Sequence, residues 1–283
     1  MAVIGIWGED KSCKSTLALS SPRPIANMEV DIGGFERACR NLPHLTIKDW
    51  YEQGEITLEQ YAIPLQGVKL DKAGNVTFTA SKIVVGIKEL SYQFLNSYFK
   101  HLKDNTVSII VDTGTLLYNT VICDGYLQEK QELQLPIRTD GLGRDGKPLR
   151  TILQKEEYRE PYDRMRGIVY QAKVHKKHLI LTHHATDEYK PMPQKDGSVA
   201  TSQTGRRVFH GWHQLGDSID VMIHTYIKEE EIVEEVNGRK IKRKNRVPYG
   251  RVDMALVQEL VGVEFREPTF DMIMEAVKLI RGE

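Results

Sequence analysis

The chain has 283 residues, with Lys+Arg and Asp+Glu each totalling 39, so no global charge draws it to nucleic acid and any basic surface must be local. Cys13, Cys39 and Cys123 are odd in number and lack CxxC spacing, which argues against a disulfide framework or a structural zinc site. The opening residues have no basic, apolar leader, and no segment approaches the roughly 18 apolar residues that span a membrane, so the expectation is a cytoplasmic protein with no membrane partner.

In chain order, Ala2 to Trp7 reads as a short buried strand bounded by Gly8, and a helix is expected from about Lys14 to Ser20, closed by Pro22 and Pro24. Ile25 to Val30 reads as a second strand with Glu29 and Asp31 near its end, and Gly33-Gly34 turns the chain. Helical pieces are expected from Phe35 to about Leu70. From Ser81 to Lys103, Ile83, Val84, Ile87, Leu90, Phe94, Leu95 and Phe99 recur at helical spacing and predict a helix with one buried face.

Val107 to Asp112 is the clearest buried strand in the middle of the chain, and its end is acidic. A helix is expected over 115–130, followed by a basic, glycine-containing loop over about 131–152 whose composition suggests mobility. A helix over about 155–176 leads into a strand over 178–182, then a polar loop over 185–204. Gly205 to Leu215 reads as helical, Ile219 to Ile227 as a strand, and Thr269 to Ile280 as the last helix. Asn237-Gly238 marks a two-residue hairpin turn within residues 228–247, setting Glu235 opposite Lys240 and Glu231 opposite Lys244, a charge-paired surface hairpin. Strands alternating with helices imply an α/β fold with a mostly parallel central sheet flanked by helices, organised as one domain over 1–283.

Gly8, Glu9, Asp10, Lys11, Ser12, Cys13, Lys14, Ser15 and Thr16 match the spacing G-x-x-x-x-G-K-S/T of a phosphate loop, except that Cys13 stands where the second glycine belongs. In such a loop backbone N–H groups point at phosphate oxygens, the lysine reaches the β- and γ-phosphates and the hydroxyl holds Mg²⁺. Lys14 and Ser15 occupy those positions. Asp112, at the end of a buried strand, is the natural second Mg²⁺ group. ATP and Mg²⁺ are therefore the expected ligands.

Together these stretches resemble the RecA-like branch of P-loop ATPases, and in particular phage-encoded ATPases associated with single-strand annealing and recombination. The likeness runs through Ile4 to Ser20, Pro24 to Gly34, Val107 to Thr113, Leu179 to His184 and Gly205 to Ile223. It implies a RecA-like fold in which Asp31 polarises the attacking water, with Glu29 as a substitute, and His184 senses the γ-phosphate, with His183 as the one-residue alternative. It also implies two loops that contact single-stranded DNA, here Arg138, Arg144, Lys147 and Arg150 in the first and Tyr189, Lys190 and Lys195 in the second. A homo-oligomeric ring or filament is implied, completed in trans by a basic residue such as Arg206, Arg207, Lys244 or Arg246. Two other readings fit the same residues. One is a nucleotide-binding structural or interaction protein in which Cys13 and Asp31 mark weak or lost hydrolysis; the other is a small-molecule or nucleotide kinase with the basic loop as its lid.

Overall fold

The structure is a computed structural model that describes residues 1–41, 46–70, 72–78, 83–193, 199–236 and 239–281. β1 (Val3–Gly8) leads through the phosphate-loop segment into α1 (Lys14–Leu19), and β2 (Ile25–Glu29) into α2 (Gly34–Asn41) and α3 (Ile47–Glu52). β3 (Ile56–Gln60) and the small hairpin of β4 (Val68–Leu70) and β5 (Val76–Phe78) follow. The expectation of helical pieces to Leu70 is thus corrected. Ile56 and Thr57 are β-branched, and Ile56 to Gln60 adds an edge strand to β2.

α4 (Ile87–Lys103) starts later than its periodicity predicts, at Gly86 with φ 77°. Its buried stripe is Ile87, Leu90, Phe94, Tyr98 and Leu102, with Phe99 turned to solvent. β6 (Ser108–Asp112) precedes α5 (Gly114–Leu116), a π-helical segment (Leu117–Asp124) and α6 (Gly125–Gln134). A 3-10 turn then opens α7 (Arg159–Val174). The remaining elements are β7 (His178–Pro193), β8 (Val199–His210), β9 (Val221–Val236), β10 (Arg239–Ala255), β11 (Glu264–Arg266) and α8 (Phe270–Arg281).

The main sheet runs in the order β11-β10-β9-β1-β7-β6-β2-β3, with β8 on β7. From β9 to β3 every pairing is parallel, and β8, β10 and β11 are antiparallel additions. Alternation along the strands sorts the core into two layers. Val3, Ile109, Val111, Leu179 and Leu181 pack with α4, α6 and α7, while Ile4, Ile6, Ile110 and Ile180 pack with α1, α2, α3 and α8. The parallel strands carry near-continuous apolar runs because helices cover both faces.

Two segments depart from expectation in the same way. Residues 185–204, expected as a polar loop, and Gly205 to Leu215, expected as a helix, are mostly strand: β7 continues to Pro193 and pairs with β8 as an antiparallel ribbon, and only His213–Asp217 is helical, as a 3-10 turn. The ribbon extends past β1 and β6, and only its root, through Ala185 and Phe209, packs on the core, so no sustained hydrophobic alternation marks it. The hairpin near residues 228–247 is present as the outer part of β9 and β10. Glu235 stands opposite Lys240 and Glu231 opposite Lys244 in its register, although Asn237-Gly238 itself lies outside the described residues. Its ion pairs run diagonally, Lys244 to Glu229 at 3.0 Å and Lys242 to Glu231 at 3.4 Å.

Beneath α4 lies a polar knot. His101, buried, bridges Asp104 Oδ2 at 2.9 Å and Glu59 Oε1 at 3.0 Å, and Glu59 also accepts from Tyr61 and Ser97. Burial raises the Glu59 and Asp104 pKa values, but the hydrogen bonds from Ser97, Tyr61 and His101 to Glu59, and from Thr106 and His101 to Asp104, outweigh it and hold both below ordinary carboxylate values. A carboxylate depressed in the folded state stabilises it above its unfolded pKa, and that contribution is lost as pH falls through the folded value. The urea midpoint is therefore expected to drop as pH is lowered from about 5 to about 3, and Glu59→Gln to flatten that drop while costing stability at pH 7. An unchanged acid slope in the variant would exclude Glu59 as its source.

Candidate functional site

Gly8 ends β1 in the middle of the sheet, flanked by His184 of β7 and Thr225 of β9. A side chain at Gly8 would collide with the Thr225 carbonyl at 2.2 Å, so the loop leaves the sheet along a path open only to glycine. Ser12 fastens the loop by donating to Glu9 O at 2.7 Å and sharing a 2.8 Å hydrogen bond with the Thr225 hydroxyl. Lys11 and Cys13 are left-handed at φ 60° and 67°. The motif's second glycine is thus explained by its backbone: position 13 requires a conformation that glycine enters without cost, and Cys13 adopts it with some strain. Burial raises the Cys13 pKa and so disfavours the thiolate, a shift that the neighbouring Lys14 charge opposes.

Lys14 is buried and folds back over the loop, donating to Gly8 O at 3.0 Å and Glu9 O at 2.7 Å. Burial lowers its pKa, while Asp112, Asp10, Glu9 and Asp31 work in the opposite direction. Ser15 Oγ donates to Asp112 Oδ2 at 2.6 Å, and Thr182 Oγ1 to Asp112 Oδ1 at 2.5 Å. Asp112 is buried and its pKa raised chiefly by desolvation, against the hydrogen bonds from Ser15 and Thr182. A hydroxyl and a carboxylate on one small volume beside a lysine are the hard-oxygen set that Mg²⁺ takes from a protein when phosphate supplies the rest.

Glu29 and Asp112 are register partners at the ends of β2 and β6. Gly34 fills the space between them, and a Cβ there would lie 2.4 Å from Asp112 Oδ2 and 3.0 Å from Glu29 Oε1. Glu29 is fully buried and committed, accepting from Phe35 N at 2.7 Å and Gln60 Nε2 at 2.8 Å. Asp31 stands at the mouth instead, half-exposed, with Arg37 at 3.6 Å and His184 Nε2 at 3.9 Å from its Oδ2. His184 Nδ1 is 3.7 Å from Asp10. His183 points to the other side of the sheet. It is fully buried, edge-on to Phe209 with ring centroids 4.7 Å apart, and its pKa is lowered to about 3 by burial. Of the two histidines, only His184 reaches the phosphate-loop mouth.

The cleft beside the loop, about 230 Å³, is lined by Lys11, Lys14, Ser15 and Thr16 together with Gly34, Arg37 and Arg40 of α2. A second cleft, of about 210 Å³, is mainly apolar, lies at the opposite end of the strands beside Ala2 and Val221, and has no Lys or Arg in its lining. Arg37, Arg40, Thr182, Thr225 and Gly34 were missed in the sequence. The signals were the Gly33-Gly34 pair and two arginines three apart on the next helix.

The predicted DNA-contacting residues lie elsewhere. The segment expected as a mobile loop over 131–152 begins only after Gln134, and that buried glutamine ties it down, bonding Asp145 at 3.0 Å, Pro148 O at 3.3 Å and Arg150 N at 3.0 Å. Arg138 pairs with Asp140 at 2.8 Å and Arg150 with Glu157, whereas Arg144 and Lys147 make no ion pair among the described residues. Tyr189 and Lys190 lie on the β7–β8 ribbon, Tyr189 59% exposed and Lys190 2.9 Å from Glu188; Lys195 lies outside the described residues. Arg207, also on the ribbon, binds Glu9 of its own phosphate loop at 2.7 Å and Asp187 at 2.7 Å. Lys244 pairs with Glu229, while Arg206 and Arg246 have no ion pair among the described residues.

No protein-family model matches the sequence, and no curated protein matches it. Among solved structures it is similar to a KaiC-like protein from the hyperthermophilic archaeon Pyrococcus horikoshii OT3, at 9% identity and a TM-score of 0.41, covering 94% of this chain and 84% of that one. A likeness of that degree does not bear on chemistry. No helix among the described residues is long and apolar enough to cross a membrane.

Two outcomes follow from the loop geometry. Cys13→Gly is expected to leave the melting temperature unchanged or raise it, whereas Cys13→Val, β-branched at positive φ, is expected to lose about 1–2 kcal/mol in a denaturant titration. Gly34→Ala is expected to cost about 1–3 kcal/mol by driving a methyl group against two carboxylates, and to weaken Mg²⁺ binding measured by calorimetry. Wild-type stability in Gly34→Ala would contradict the close approach.

Proposed function

We propose that this chain is a RecA-like P-loop ATPase, one domain over 1–283, that binds ATP and Mg²⁺ and hydrolyses the terminal phosphoanhydride. The observation carrying this reading is the convergence of Ser15 and Thr182 on the buried Asp112 carboxylate, next to Lys14 and at the end of β1. The site fits such a ligand: a glycine-started loop, a cation-lined cleft, and a hydroxyl–carboxylate pair of the kind Mg²⁺ uses.

Lys14 would exchange the Gly8 and Glu9 carbonyls for β- and γ-phosphate oxygens, a stronger charge-assisted contact than the two neutral acceptors it now holds. Ser15 and Asp112 would hold Mg²⁺, which when bound neutralises charge on the phosphates. Asp31 is the base, taking a proton from the attacking water; Glu29 is unsuited because both its oxygens are spent inside the fold. His184, beside Asp31, would donate a hydrogen bond to the oxygen that gains charge as the bond breaks.

Single-stranded DNA is the effector we assign to this ATPase, and self-assembly into a ring or filament its working state. The exposed Tyr189 on the β7–β8 ribbon supports the first, as a stacking group. Arg206 and Arg246, which make no ion pair among the described residues, support the second as candidates to reach a neighbouring subunit.

Steady-state phosphate release with and without single-stranded DNA tests the reading. Turnover is expected, increased by DNA, and reduced at least about a hundredfold by Lys14→Ala, as for removal of a charge that stabilises the transition state. ATP binding without turnover would leave a nucleotide-gated interaction protein. Turnover raised by a nucleoside monophosphate and not by DNA would mark a kinase.

A further inference from the structure

α2 places two arginines one helical turn apart on the wall of the phosphate-loop cleft, opposite Lys11 and Lys14. A lysine on the β- and γ-phosphates together with Mg²⁺ is the usual complement of such a loop, so Arg37 and Arg40 are additional positive charge. Their location is specific. They share the cleft with Ser15 and Gly34, and Gly34 touches Asp112, so they flank the metal and terminal-phosphate end.

Arg37 is held at that end by a weak contact. Its guanidinium is 3.6 Å from Asp31, and both side chains are more than a third exposed. Exposed pairs of this kind contribute little, so a more highly charged, bidentate acceptor readily displaces the carboxylate. Gly33, at φ 101°, provides the room, because a Cβ there would lie 3.2 Å from Arg37 Nη1. Arg40 makes no ion pair among the described residues, so no carboxylate competes for it.

We infer that Arg37, assisted by Arg40, is a terminal-phosphate ligand supplied in cis, making the site selective for nucleoside triphosphates over diphosphates and uncovering Asp31 only when a γ-phosphate is present. The inference rests on the ATP-binding reading above. In the nucleotide-free site Arg37 neutralises Asp31; with a triphosphate it turns to the γ-oxygens and leaves the Asp31 carboxylate free to accept a proton. A diphosphate offers nothing at that end, and the Arg37–Asp31 pair persists.

The test is calorimetric titration of the full chain with ADP and with the non-hydrolysed β,γ-imido analogue of ATP, in Mg²⁺, for wild type, Arg37→Ala, Arg37→Lys and Lys14→Ala. Arg37 is exposed, so its variants are expected to melt as wild type does. The expected result is a preference for the triphosphate that Arg37→Ala lowers roughly tenfold or more while ADP affinity changes little, with Arg37→Lys in between because it keeps the charge and loses the fork. A wild-type preference that survives Arg37→Ala, or an equal loss for both nucleotides, overturns the inference and leaves ATP binding intact. If wild type binds neither nucleotide and Lys14→Ala changes nothing, the ATP-binding reading itself falls, and this inference with it.

Discussion

A carboxylate taken out of water is costly unless donors surround it, and Asp112 is where this fold meets that cost. Ser15 and Thr182 each give it a hydroxyl hydrogen, and Gly34 presses against it with no side chain. These groups come from α1, β7 and α2, so one side chain fixes the relative positions of the phosphate loop, the neighbouring strand and the helix carrying the extra arginines. The Asp112 carbonyl extends the same role by accepting from Val30 N at 2.6 Å and Asp31 N at 3.0 Å, which sets where Asp31 emerges. The arrangement tolerates a buried acid because the two hydroxyl hydrogens replace part of the hydration it loses.

The parallel sheet and the loop were legible in the sequence because their signals are local. Val107 to Asp112 and His178 to Thr182 are apolar runs ending in polar residues, and such runs occur where helices cover both faces. The long ribbons were only partly legible, for a physical reason. β9–β10 carries Asn237-Gly238 and a run of opposed charges, whereas the β7–β8 stretch, though it contains Asp196-Gly197 and the opposed pair Asp187 and Arg207, packs apolar side chains on the core only at its root, so the alternation that normally reveals a strand was missing. The site was legible as far as the juxtaposition of Lys14, Ser15 and Asp112, which follows from the loop spacing and the acidic strand end. Thr182 and Arg37 were not, because their importance comes from tertiary neighbours across the sheet edge.

Gly8 has a second significance in the topology. His184, its neighbour on one side, pairs onward with His210, and Thr225, its neighbour on the other, pairs onward with Gly250. The two antiparallel ribbons therefore leave the sheet on either side of the phosphate loop. Thr115, three residues beyond Asp112, donates to His210 O at 2.5 Å and accepts from His184 N at 3.0 Å, so the chain after the acidic strand end grips the base of the β7–β8 ribbon directly. Arg207 adds a second tie, from the ribbon to Glu9 in the loop.

A stiff ribbon clamped at its root acts as a lever. From Ala185 to Pro193, β7 advances about 26 Å at the usual rise of a strand, so a tilt of about 5° at the root would carry its far end roughly 2.3 Å. Small rearrangements of Glu9 or Thr115, on the scale of a hydrogen bond made or broken, are thus magnified at the outer end into displacements of a few ångströms. The gain of that lever is set by the ribbon's length. Shortening β7 and β8 in matched steps would reduce the stroke in proportion and leave the phosphate loop untouched.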